Sequence, residues 1–266
     1  MTNSLKINFT DKKLSKKENL LVLVGHLRSI EGIIKFHKKF LDKNSSDLAI
    51  STWVDEDDND DLIEKIKSLL NPVYLEVEDF NFELTTKIFG DLNKFDLMFG
   101  KAALSTRAQI YKIIKIKEII QQIEDVQNKK YKIIFKSRPD MLILSSKINI
   151  NNLHSNIIFE ATTGDWRKDR SDRFFYGRRE HFLSFLNNIM SFSKKIWGEE
   201  IMHPVINRIP LQEQLLKFCC DNKNIKNDFF LPISTIWRPK REPNIKDRLI
   251  VLLKKIKKKI FLKIVL

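Results

Sequence analysis

Short apolar runs alternate with helix-period segments through the first half of this chain, and that alternation does most to limit the folds open to it. Leu20-Leu21-Val22-Leu23-Val24 has the length and character of a buried strand, and it closes at Gly25-His26-Leu27-Arg28-Ser29. Ile30, Ile33, Ile34, His37, Phe40 and Leu41 then recur at three- and four-residue steps, which makes one face of an amphipathic helix. A second strand is read at Asp47–Trp53, followed by the acidic loop Asp55–Asp61 and a helix over Leu62–Leu70 that Asn71-Pro72 terminates. That loop lacks the glycine and closing glutamate of a calcium loop, so its acids are read as solvated residues preceding the helix. Val73–Val77 is the third strand. Residues 78–103 are read as irregular, with Gly90 and Gly100 as breaks. From Ser105 a long helix puts Ile110, Ile113, Ile114, Ile120 and Ile123 on one side, before a strand over 131–135. Such alternation implies an α/β domain with a mostly parallel central sheet flanked by helices.

The strand over 131–135 leads into the turn most informative about function, Lys136-Ser137-Arg138-Pro139-Asp140. Pro139 has no N–H to donate and a fixed φ, so a central strand ends before it. The same residue pushes Arg138 toward extended geometry. Arg138 and Asp140 are thereby delivered to a strand end, where open α/β sheets place their ligands. An arginine suits an anion, and an aspartate suits a metal or a hydroxyl. A mutual Arg–Asp pair that caps the loop is the simpler alternative. At the end of the first strand, Gly25 permits close backbone approach, the helix beyond it favours phosphate, and Arg28 adds charge. This spacing matches no dinucleotide fingerprint.

Further on, Ile157–Glu160 reads as a strand. The polar stretch Gly164–Arg173, which contains Trp166, precedes the apolar Phe174-Phe175-Tyr176-Gly177 and a helix over Arg179–Ile189. Another helix begins at Pro210, with Glu213 in its first turn, where a carboxylate also suits the helix dipole.

Charge is unevenly spread. The chain of 266 residues carries +14, and half of that excess lies in residues 246–266, where eight Lys/Arg face one Asp. A basic tail on a mildly basic domain follows, rather than a nucleic-acid face spread over the fold. Cys219 and Cys220 are adjacent, which excludes a disulfide framework. Met1–Asn19 is polar and Lys-rich without the apolar core of a secretory leader, and no apolar run reaches membrane-spanning length. A cytoplasmic protein is expected. It divides into a polar lead-in at 1–19, a main α/β domain at 20–240 and a basic helix at 241–266.

The strand ending at Gly25-His26-Leu27-Arg28, the strand ending at Ser51-Thr52-Trp53 and the helix start Gln109-Ile110-Tyr111-Lys112 occur in a telling order. Ser137-Arg138-Pro139-Asp140, then Asp172–Gly177, then Gln212-Glu213-Gln214 complete it. Over residues 20–220 this order resembles the GT-A-type glycosyltransferases encoded in bacterial capsule and lipopolysaccharide gene clusters. The resemblance implies a GT-A-like, Rossmann-type nucleotide-binding sheet and a nucleotide-sugar donor. It implies that Gly25, His26, Arg28, Trp53, Gln109, Arg138 and Asp140 line the donor site, and that Asp172 or Glu213 faces the acceptor as catalytic carboxylate. In that family an Asp-x-Asp motif holds Mg²⁺ or Mn²⁺, and by the resemblance Asp140 would contact the ribose or that metal. Arg138 stands where the first Asp of that motif would be, which leaves metal dependence open, with Arg or Lys as the alternative neutralising group. The expected acceptor is a glycan or a lipid-linked sugar.

In the tail, Ile245, Leu249, Leu252, Leu253, Ile256, Ile260 and Ile264 repeat at helical spacing opposite Lys254, Lys255, Lys257, Lys258 and Lys259. Such a helix over 245–266 suits the surface of an anionic membrane, on the inner face of the cytoplasmic membrane. Packing of the same stripe on the domain is the simpler alternative. No nucleic-acid partner is expected. A rival binding-protein reading would use Trp166, Phe174 and Phe175 as base-stacking groups.

Overall fold

The computed structural model describes residues 5–7, 15–27, 30–53, 60–79, 82–90, 101–143, 148, 153, 157–160, 173–198, 227–230 and 234–236. Its strands are β1 (Leu5–Ile7), β2 (Asn19–His26), β3 (Ser46–Trp53), β4 (Tyr74–Glu78), β5 (Ile133–Ser137), β6 (Met141–Ile143), β7 (Ile157–Glu160), β8 (Phe174–Arg178), β9 (Asn227–Phe230) and β10 (Ser234–Ile236). The helices are α1 (Ile34–Lys43, entered through a 3-10 turn at Ile30–Ile33), α2 (Asp60–Leu70), α3 (Phe82–Phe89), α4 (Lys101–Gln127) and α5 (Arg179–Gly198). Eight strands form one sheet in the order β1-β4-β3-β2-β5-β8-β7-β9, and β6 pairs with β10 apart from it.

The four central strands β4, β3, β2 and β5 run parallel. β1 and β8 join them antiparallel, and β7 with β9 forms a further parallel pair. The expected mostly parallel α/β sheet is therefore present, with β1 at one edge and β8 between β5 and β7 as its antiparallel strands. The chain lays down β2, β3 and β4 in one direction and then returns to the other side of β2 with β5. That reversal opens a crevice beyond the carboxyl ends of β2 and β5, the position at which α/β sheets bind ligands.

Alternation of side chains divides the core into two layers. Leu20, Val22, Val24, Ala49, Ile134 and Phe175 pack toward α4 and α5 with Ile110, Ile113, Ile120 and Ile123. Leu21, Leu23, Leu48, Ile50, Phe135 and Phe174 pack on the other face with α1 and α2. Phe174 and Phe175 are each fully buried, on opposite faces of β8. They are not available to stack on bases, contrary to what the nucleic-acid reading requires.

Several local expectations hold. Asn71 ends α2 in the left-handed region at φ 44°, its N–H donating to the Lys67 carbonyl. β5 stops at Ser137, two residues before Pro139, and the chain resumes in the separate β6. Residues 78–103 differ from expectation, because β4 runs to Glu78, α3 occupies Phe82–Phe89, and α4 begins at Lys101. Arg107, fully buried, fastens α4 to the end of α3 by donating from Nη1 to the Gly90 carbonyl at 2.9 Å. No described helix is long and apolar enough to cross a membrane.

Candidate functional site

The parallel register fixes where the crevice lies. Asn19 pairs with Ile133 and Leu23 with Ser137, so Val24, Gly25 and His26 extend beyond the last residue of β5. On the other side β2 and β3 end together, with His26 beside Trp53. The freed end of β2, the end of β3, the first turns of α4 and the turn after β5 enclose a cavity of about 350 Å³.

Gly25, His26, Trp53, Gln109 and Arg138, five of the residues singled out for donor binding, line this cavity. Gly25 adopts φ +127°, which side-chain-bearing residues avoid, and a Cβ there would lie 3.7 Å from Pro139 Cδ. Gln109 has its Nε2 3.4 Å from Ser105 Oγ, while its Oε1 is buried with no hydrogen-bond partner among the described residues. A carboxamide so placed offers the cavity an acceptor and a donor. Trp53 is buried, its ring stacked on Tyr111 at 5.5 Å with the Lys112 ammonium 4.1 Å from its centroid. It therefore acts as a wall of the cavity rather than as a free stacking platform.

Arg138 and Asp140 meet as a bidentate pair, Nε to Oδ1 at 3.0 Å and Nη2 to Oδ2 at 2.8 Å. Arg138 lines the cavity and Asp140 stands behind it, its side chain 12% exposed. Both oxygens of Asp140 are thus committed to the guanidinium. A Mg²⁺ or Mn²⁺ ion needs several oxygen ligands, and among the described residues no three His, Cys, Asp or Glu side chains converge to hold one. A divalent cation at Asp140 would have to share its carboxylate with the Arg138 guanidinium. Arg28, Asp172 and Glu213 lie outside the described residues, as do Trp166 and the tail at 245–266.

Two lysines that sequence reasoning did not assign to the site also line it. Lys136 faces the same side of β5 as Ile134, is 1% exposed, and places its ammonium 5.4 Å from the Phe175 ring. Lys112, equally buried on α4, donates to Glu78 Oε2 at 2.6 Å, to Ser51 Oγ at 2.9 Å and to the Thr52 carbonyl at 3.0 Å. Burial pushes the Lys112 ammonium down to about 8, against the opposing pull of Glu78. Burial alone would raise the Glu78 carboxyl, but Lys112 and Lys115 outweigh it and hold Glu78 below its ordinary value. Lys115 bonds both Glu76 and Glu78, so the acids on this flank belong to a closed ionic network. The sequence signal for Lys136 was present, since it is a cation at the core-facing parity of an otherwise apolar strand. Lys112 gave no comparable signal, because Glu78 lies 34 residues away in the chain.

No family model matches the chain, and no curated protein matches it. Among solved structures it is similar to a glycosyltransferase involved in the glycosylation of the major capsid of PBCV-1, at 12% identity and a TM-score of 0.34, over 80% of this chain and 81% of that one. It is also similar to the apo-form glycosyltransferase GlyE of Streptococcus pneumoniae TIGR4, at 8% identity and a TM-score of 0.43, over 80% of this chain and 45% of that one. The chain therefore spans less than half the length of GlyE.

Proposed function

We propose that this chain is a glycosyltransferase that moves a sugar from a nucleotide-diphosphate sugar to a hydroxyl of a surface glycan or lipid-linked acceptor. The observation that carries this reading is the cavity at the crossover of the parallel sheet, which combines a glycine approach, an amide and a cationic wall. Gln109 offers paired hydrogen-bonding atoms to a nucleobase edge, and Gly25 lets the ligand approach the backbone of β2. Arg138 faces the charge that develops on the departing diphosphate. In the step itself the bond between the sugar's C1 and the diphosphate oxygen breaks, and its electron pair leaves with the nucleoside diphosphate. The acceptor oxygen bonds to C1 and loses its proton; where the transfer inverts the anomeric centre a carboxylate takes that proton, with Asp172 and Glu213 the candidates.

The test is nucleoside diphosphate release from a panel of donor sugars, read beside thermal shifts with nucleoside diphosphates and with oligonucleotides. Donor-dependent release with stabilisation by one nucleoside diphosphate is the expected result. Stabilisation by oligonucleotides alone, without release from any donor, would replace the transferase with a binding protein. Within the same proposal, the helix at 245–266 docks the enzyme on the cytoplasmic side of an anionic membrane. Full-length protein should then float with anionic liposomes while a chain ending at Pro243 does not, and equal flotation of the two would refute docking.

A further inference from the structure

The wall of the cavity is cationic and its acids stand behind it. Lys112, Lys136 and Arg138 line the space, and among the described residues no Asp or Glu does. Glu78 lies behind Lys112, and Asp140 lies behind Arg138. Lys136 near the end of β5 and Arg138, the residue just past that strand, both line the cavity. A surface of this kind is preorganised for a desolvated anion.

The guanidinium of Arg138 is itself held in place. Its Nε and Nη2 are fixed on the two oxygens of Asp140, which sets the plane of the fork. Pro139, between the two, is anchored through its carbonyl to His37 Nε2 at 3.1 Å. Asp140 is thus arranged to orient a cation.

We infer that Lys136 and Arg138 grip the donor's diphosphate in the role a divalent cation would otherwise fill, Asp140 orienting Arg138 and Lys112 adding charge from α4. This rests on the nucleotide-sugar reading. As the bond from C1 to the diphosphate oxygen breaks, the electron pair and the new negative charge reside on the terminal phosphate. The two cations stabilise that charge through charge-assisted hydrogen bonds.

The experiment measures affinity of the full chain for the nucleoside diphosphate it binds best, and for inorganic pyrophosphate, in excess EDTA and in Mn²⁺. Wild type, Lys136→Met and Arg138→Gln are compared. Wild type should bind both ligands in EDTA within about threefold of its affinity in Mn²⁺. Each variant should lose roughly tenfold or more in EDTA, the size expected for one charge-assisted hydrogen bond. Arg138→Gln is the second variant should Lys136→Met fail to fold, and the comparison in wild type needs neither. Wild-type binding that is lost in EDTA and restored by Mn²⁺ overturns the inference while leaving the transferase reading standing. Unchanged affinity in the folded variants also overturns it. Absence of binding to every diphosphate in both conditions overturns the inference and the transferase reading together.

Discussion

His37, fully buried on α1, donates from Nε2 to the carbonyl of Pro139, 102 residues away, across 3.1 Å. A carbonyl only accepts, so the ring carries its proton on Nε2. One helix thereby holds in place the turn that presents Arg138 and Asp140. Burial pushes the ring down to about 4, against the opposing effects of the Pro139 carbonyl and the Asp140 charge. The unfolded chain takes up this proton near 6.5 and the native state only near 4, so stability falls as pH drops between those values. The loss is roughly 3 kcal/mol. Denaturant titrations over that range should show it, and His37→Phe should remove this component while costing about 1–3 kcal/mol at pH 7. An unaltered pH slope in His37→Phe would show that another group carries the acid loss.

Asp140→Ala should leave the protein folded and reduce transfer on the order of a hundredfold or more, because Arg138 loses the partner that fixes its plane. Donor turnover and circular dichroism measured on the same preparation check this. Near-normal turnover would remove Asp140 from the mechanism.

Lys112 gives the cavity a pH dependence on the alkaline side. Its native ammonium deprotonates at about 8, against 10.5 in the unfolded chain. Anion affinity should therefore weaken as pH rises through 8, as the wall loses one cation. Stability should move the other way between 8 and 10.5, where the unfolded chain binds the additional proton. The charged groups facing Lys112 are Glu76 and Glu78 on β4 and Lys115 on its own helix. Lys112→Met should flatten the affinity profile above pH 7.5, measured by titration with pyrophosphate.

Gly25→Ala should destabilise the fold by about 1–3 kcal/mol through backbone strain at φ +127°. Space is not the cause, since the added methyl would meet Pro139 Cδ at an ordinary 3.7 Å. Nucleoside diphosphate affinity should fall with it, because the same backbone lines the cavity.

Asp47 offers a contrast at the other end of the sheet. It accepts from Ser15 Oγ at 2.7 Å, Tyr131 OH at 2.8 Å and Lys129 Nζ at 2.9 Å. Asp47→Ala should cost about 3 kcal/mol in urea unfolding and leave nucleotide affinity unchanged, since no cavity-lining residue is involved.

What the sequence disclosed followed from range. Period and turn chemistry are local, so the strands ending at Gly25 and Trp53, the α4 face and the break at Pro139 were all readable. Gln109 and Arg138 were placed in the site by a family-like order of motifs, and the cavity contains both. Helix α3, eight residues long, gave too few turns for its period to stand out, and strands of three or four residues such as β1, β9 and β10 gave still less. The ionic network of Ser51, Glu76, Glu78, Lys112 and Lys115 joins two strands to a helix across 25 to 61 positions. No local rule predicts such pairings. Asp140 was legible as a strand-end acid, but its engagement by Arg138 through both oxygens appears only in three dimensions.

The overhang of β2 past β5 makes the site depend on the number of residues at the end of β5. Lys136 and Arg138 reach one cavity from either side of Ser137, the last residue of β5. One residue inserted between Ser137 and Arg138 would shift the Arg138–Asp140 pair and the Pro139 carbonyl relative to Lys136 and His37. Surrounding loops can lengthen or shorten without that consequence. The chain is thus tolerant of changes in what it recognises and intolerant, at one short stretch, of a change in count.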